Sequence, residues 1–324
     1  MLELARRHRV NVLLASRVPG RQHEIRPALA GELAAWRNAA TICESAHQHG
    51  VDLLLAKGAA LAYTHYAAPH LRPRDDIDIL IRRADLDRAS AMLASIGYER
   101  DAEPNAELWT GQHHYCKTTP SGVVRVDVHW RAANPIAFAG ALAFDDVWPR
   151  SVPVAAMGPH ARTLAPADSL LLACLHRVAH HQDRVELLWL WDIHLLASRM
   201  STGELSQFSG EAVRAKLGAV CARGLALAHE CFGTVVPDCL LAELAGAKNE
   251  PSAAFVGAAL SALEVARADL AALRGWRARA SLVREHLVPP AMYMRQRYPR
   301  WPAALLPIAY IHRILRGAPR WLRR

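Results

Sequence analysis

Between residues 51 and 130 the apolar positions change period several times. The run "VDLLLA" (51–56) is continuous and apolar, which predicts a short buried strand. Lys57-Gly58 then makes a turn, and "AALAYTHYA" begins a helix. In "DIDILI" (76–81) the β-branched Ile77, Ile79 and Ile81 alternate, which predicts a strand with one face buried. The same alternation sends Asp76, Asp78 and Leu80 to the other face. "ADLDRASAMLASIG" predicts a helix opened by acidic residues and stopped by Gly97. "HHYCKT" and "VVRVDVHW" predict two further strands, joined by the turn "TPSG" at 119–122. In the second of these Val124, Val126 and Val128 take one face, while Arg125, Asp127 and His129 take the other.

Outside this stretch the period is helical. "LARRHRVNVLLASRV" and "ALAGELAAWRNAATICESAHQHG" carry apolar residues at three- and four-residue spacings, and Gly50 closes the second. From about residue 165 the pattern stays helical to the end. Asp168 is the expected cap of "SLLLACLHRVAHH", and Pro237, Pro251, Pro289 and Pro302 divide the rest of the chain. No repeat or low-complexity segment is present. The prediction is an α+β chain with a helical segment over 1–49, a small mixed-sheet core over 50–160 and a helical domain over 161–324.

Composition narrows the class. The chain has 324 residues and is 52% hydrophobic, ample for a core. Its longest apolar runs are too short to span a bilayer, and the N-terminus does not read as a secretory signal. Six cysteines are scattered without a C-x-x-C pair and are expected to be reduced core residues, which points to the cytoplasm. The net charge of +9 is carried almost wholly by arginine, a good bidentate ligand for phosphate. Arginines crowd the last thirty residues, and this tail suits an anionic surface, or docks as a terminal amphipathic helix. Aromatics are only 6%, so nucleic acid is a possible partner but not the favoured one.

Three pieces of the core carry candidate chemistry. In "LLLAKGAAL" a strand, a glycine turn and a helix start come one after another, and Gly58 with the free helix N–H groups suits a phosphate. Asp76 and Asp78 share a strand face and repel one another, an arrangement tolerable on a solvated face or with a cation between them. Asp127, on a later strand, supplies a third carboxylate. Together they suit two magnesium ions, about 3.5–4 Å apart, that activate an attacking hydroxyl and neutralise a leaving pyrophosphate.

These residues resemble a known pattern. "LLAKGAALAYTHYAAPHLRPRDDIDILI", "AMLASIGYE" and "VVRVDVHWR" are similar, in order and spacing, to the bacterial uncharacterised nucleotidyltransferases of the DNA polymerase β-like superfamily. The likeness continues less specifically through "RTLAPADSLLLACLH", "LLWLWDIHLL" and "MYMRQRYPR". It implies a polymerase β-like core and magnesium-dependent transfer of a nucleoside monophosphate from an NTP such as ATP, with manganese as an alternative ion. The acceptor is a hydroxyl or phosphate, on a small molecule, sugar or peptide. Asp76 and Asp78 match the metal pair, and Asp127 the third ligand and candidate base. Gly58 matches the motif glycine, and Ala59 stands where many superfamily members carry serine. Lys57, Arg72 and Arg74 are then candidate phosphate contacts. Asp75 departs from the family pattern and has no role in it. Nucleotidylation of a protein or tRNA, and a non-catalytic nucleotide-binding module, are the alternatives.

Other residues keep two readings. His129 shares the Asp127 face as an ion-pair partner or a site residue. His176, His180 and His181 lack the glutamate of a zinc-protease helix and read as core or acceptor-pocket residues. Trp189 and Trp191 read as packing. Asp192 is a structural cap or an acceptor contact.

Overall fold

The computed structural model describes residues 2–20, 23, 25–101, 110–246, 250–257 and 260–322. Among these, seven strands form one mixed sheet. They are β1 (Leu53–Leu55), β2 (Ile77–Ile81), β3 (Glu99–Arg100), β4 (Gln112–Thr119), β5 (Gly122–His129), β6 (Val152–Pro153) and β7 (Arg162–Thr163). Their order across the sheet is β3-β4-β5-β2-β1-β7-β6. β1 runs antiparallel to β2, pairing Leu54 with Leu80. β2 runs parallel to β5, pairing Asp78 with Asp127. The β4–β5 hairpin turns at the predicted place, with Gly122 at φ +121°.

Helices cover both faces. On one, Ile77, Ile79, Ile81, Val126 and Val128 pack against α3 (Ile25–Gln48) through Ile42 and α5 (Leu86–Ser95) through Met92 and Leu93. The preceding N-terminal helices are α1 (Leu2–Arg7) and α2 (Asn11–Arg17), and α4 (Lys57–Thr64) comes after β1. On the other face, Leu54 and Leu80 join an apolar cluster with the later helices. These include α6 (Phe144–Val147), α7 (Pro166–His181), α8 (Leu187–Ala197), α9 (Thr202–Arg214), α10 (Gly218–Phe232) and α11 (Asp238–Ala245). The helical C-terminal region continues through α12 (Ala262–Ala272), α13 (Trp276–Leu287), α14 (Ala291–Arg297) and α15 (Leu306–Leu322). No described helix is long and apolar enough to cross a membrane.

Five local expectations change. β2 is buried on both faces, because α7 covers the side that carries Asp78. Asp76 lies one residue before β2 rather than on it. Asp168 does not cap α7. Pro166 begins the helix after Ala165, and the buried Asp168 carboxylate accepts two hydrogen bonds of 2.7 Å from Arg150. Of the six cysteines, Cys231 and Cys239 are exposed. The first predicted helix is also divided into α1 and α2. Arg9 takes a left-handed φ of +58°, and Val10 N–H bonds back to Ala5 O at 2.8 Å, which closes α1.

Candidate active site

The site forms where β2, β5 and the start of α4 meet under α7. β1 ends at Leu55, and the extended Ala56 leads into Lys57, whose φ is +49°. A non-glycine residue in this region is uncommon and costs backbone energy, so its surroundings matter. Its side chain runs to the carboxylate on the next strand. Lys57 Nζ lies 2.7 Å from Asp78 Oδ1. His129 Nε2 lies 2.8 Å from the same oxygen. His129 arrives through the parallel β2–β5 register, which sets Asp78 beside Asp127 and Leu80 beside His129, and Lys57 through the β1–β2 pairing, where Ala56 N–H bonds to Asp78 O at 3.0 Å.

Asp78 is only 4% exposed. Burial pushes its carboxyl up, but the Lys57 ammonium and the His129 hydrogen bond outweigh that and hold it well below the usual carboxylate range. Asp76 has the opposite fate. Burial, then the charges of Asp78 and Asp127, raise it to about 6. Asp127 is fixed from β4. Gln112 Nε2 donates to His114 Nε2 at 2.9 Å, and His114 Nδ1 donates to Asp127 Oδ1 at 2.7 Å. Burial and Lys57 lower His129, which favours the neutral ring. Its Nδ1 is buried with no hydrogen-bond partner among the described residues.

Asp78, Asp127 and His129 each present a donor atom within 4.8 Å of the others, a group able to hold a metal ion. The donor set fits a divalent cation. It offers two carboxylates and a neutral imidazole, and Asp76, raised by burial and then by the charges of Asp78 and Asp127, stands nearby as a further carboxylate. Asp76 is not one of the three.

A cavity of about 270 Å³ opens beside this group, lined by Lys57, Gly58, Asp76, Asp78, His176 and Trp189, among others. A helix start with free backbone N–H groups, next to in-register carboxylates, suits a phosphate-bearing ligand held together with a divalent cation. A model of the family described as "Uncharacterised nucleotidyltransferase" matches residues 1–233. The chain belongs to that family. The match ends at Gly233, the residue that closes α10. No curated protein matches the chain. Among solved structures, the chain is similar to an antigenic nucleotidyltransferase-like protein from Paracoccidioides brasiliensis. Identity is 15%, the match covers 64% of this chain and 92% of that one, and the TM-score is 0.40.

Other residues singled out in this nucleotidyltransferase sequence take definite places. Ala59 is buried on α4. Gly58 faces Arg72, and a Cβ built there would meet Arg72 Nη1 at 3.2 Å, so the close approach it allows is to a guanidinium. Arg72 grips Asp192 of α8, with Nε and Nη2 at 2.8–3.0 Å from its carboxylate oxygens. Tyr66 donates to that carboxylate at 2.6 Å. Arg74 pairs with Glu32 at 2.7 and 2.8 Å. Both guanidinia line the cavity yet are already engaged. Asp75 is exposed and pairs with Arg9 at 2.8 Å. Trp189 lines the cavity and stacks on His181 with centroids 4.1 Å apart.

Three residues around the site carry no mark in the sequence pattern alone. His114 is the recoverable one, because the turn at 119–122 sets the β4–β5 register and so pairs His114 with Asp127. Arg9 and Glu32 leave no local signal. Their contacts span 66 and 42 residues.

Proposed function

We propose that this nucleotidyltransferase moves a nucleoside monophosphate from an NTP to a hydroxyl or phosphate of an acceptor, with release of pyrophosphate. The observation that carries the reading is the in-register pair of the buried Asp78, which lines the cavity near the start of α4, and the half-buried Asp127 beside it. Asp78, Asp127 and His129 would hold a divalent cation, magnesium or manganese, with Asp76 completing the charge for a second. Bound there, such an ion supplies charge neutralisation for a triphosphate and lowers the pKa of an attacking hydroxyl.

The remaining work falls to the chain's own groups. The start of α4 offers backbone N–H groups to phosphate oxygens. Lys57, the counter-ion of Asp78, also lines the cavity and would offer its ammonium to the triphosphate. Asp127, held by His114, is the proton acceptor for the attacking group. Trp189 and His181 give the cavity an aromatic wall suited to a base or an apolar part of the acceptor.

The test is product formation from each NTP with a cell extract and Mg²⁺ or Mn²⁺, followed by mass spectrometry. Asp78→Asn should abolish turnover. Asp127→Asn should keep NTP binding nearly intact while turnover falls about a thousandfold, a barrier increase of about 4 kcal/mol. Equal turnover by wild type and Asp127→Asn would place the chemistry elsewhere. NTP binding without turnover in any form would favour a nucleotide-binding module.

A further inference from the structure

The C-terminal helix α15 turns its sides the unexpected way. Its inner side buries Ala309 and is otherwise tied down by polar contacts. Tyr310 Oη donates to Pro289 O at 2.6 Å, Arg313 Nη1 donates to His286 O at 2.7 Å, and the His312 ring lies against Tyr298. Its outer side carries Ile308, Ile311, Ile314 and Leu315, with Ile311 58% and Leu315 67% exposed. The spacing of 308, 311 and 315 sets these on one arc of the helix. A helix packed on a globular chain normally faces its apolar stripe inward. A contiguous aliphatic arc in water marks a surface that something else covers.

Charge selects what covers it. From His286 to the end, the sequence has eight arginines and no aspartate or glutamate. Arg316 is exposed beside the stripe, while Arg323 and Arg324 lie outside the described residues. A second copy of this helix would bring like charges together. A nucleic acid would meet the arginines but leave the aliphatic arc wet. An anionic lipid surface satisfies both, with aliphatic side chains at the acyl boundary and guanidinia at the phosphates. We propose that α15 is an interfacial helix that docks this chain on an anionic bilayer. This surface lies beyond the segment matched by the family model.

Co-sedimentation of the full chain tests it, using phosphatidylcholine vesicles with and without a third of phosphatidylglycerol. Wild type should pellet with the anionic vesicles, and less so as salt rises. Ile311→Glu and Leu315→Glu should each weaken that binding about tenfold or more, through loss of one inserted aliphatic side chain. Their circular dichroism and melting should match wild type, since these side chains already meet water. Arg316→Glu should weaken binding to the anionic vesicles. Three results would overturn the proposal. One is no pelleting, or equal pelleting with both vesicle types. Another is a dimer in sedimentation that Leu315→Glu dissociates. The third is binding to an RNA oligonucleotide that outcompetes vesicles and ignores Leu315→Glu.

Discussion

Asp76 and Asp78 are two residues apart, yet their surroundings drive their protons in opposite directions. Asp78 has Lys57 and His129 within hydrogen-bond reach, whereas Asp76 has burial and two neighbouring carboxylates. A carboxyl raised from 3.8 to about 6 stabilises the fold fully below pH 3.8 and loses that contribution as pH rises through 6. The whole shift corresponds to about 3 kcal/mol, less what water screens at this partly exposed group. In EDTA, Asp76→Asn should therefore be more stable than wild type at pH 8 and close to it at pH 4. Urea midpoints at the two pH values check this. An equal gain at both would mean that charge repulsion is not the cause. Adding Mg²⁺ or Mn²⁺ should stabilise wild type more than Asp76→Asn.

At the scale of one element, α7 ends in His176, His180 and His181 against the site. A helix C-terminus favours a protonated histidine by only about 0.3–1 kcal/mol. Burial and Lys57 outweigh it at His180, which falls to about 3, while burial and Arg184 lower His181 to about 4. A group with a depressed folded pKa adds stability above its unfolded value, and that is lost as pH falls. Acid unfolding should thus steepen below about pH 6.5, by at most about 1.4 kcal/mol per pH unit for each such histidine. His180→Gln should flatten that limb and leave stability at pH 7.5 nearly unchanged in urea titrations across pH. An unaltered acid limb would assign the loss to other groups. The β4–β5 hairpin shows a second element-level effect. Its turn alone sets which side chains meet, and so delivers His114 to Asp127.

Across the whole molecule, the Arg72–Asp192 pair joins the segment before β2 to α8, 120 residues away. Removing one partner leaves the other charge buried. Asp192→Asn should cost about 3–5 kcal/mol, read from urea unfolding. A loss below about 1 kcal/mol would mean that water reaches the guanidinium. This pair also shows where the sequence stops being legible. Periodicity located β1, β2, the β4–β5 hairpin and the helical remainder, because side-chain alternation and helical spacing are local properties. The motif around Gly58, Asp76, Asp78 and Asp127 marked the nucleotidyltransferase family for the same reason: its residues lie on short, recognisable segments. Only the fold decided that α7 buries the Asp78 face, that Lys57 neutralises Asp78, and that Arg72 and Arg74 are engaged by Asp192 and Glu32. Those outcomes depend on which distant segment covers a face or supplies the opposite charge. No local pattern in the chain encodes that pairing.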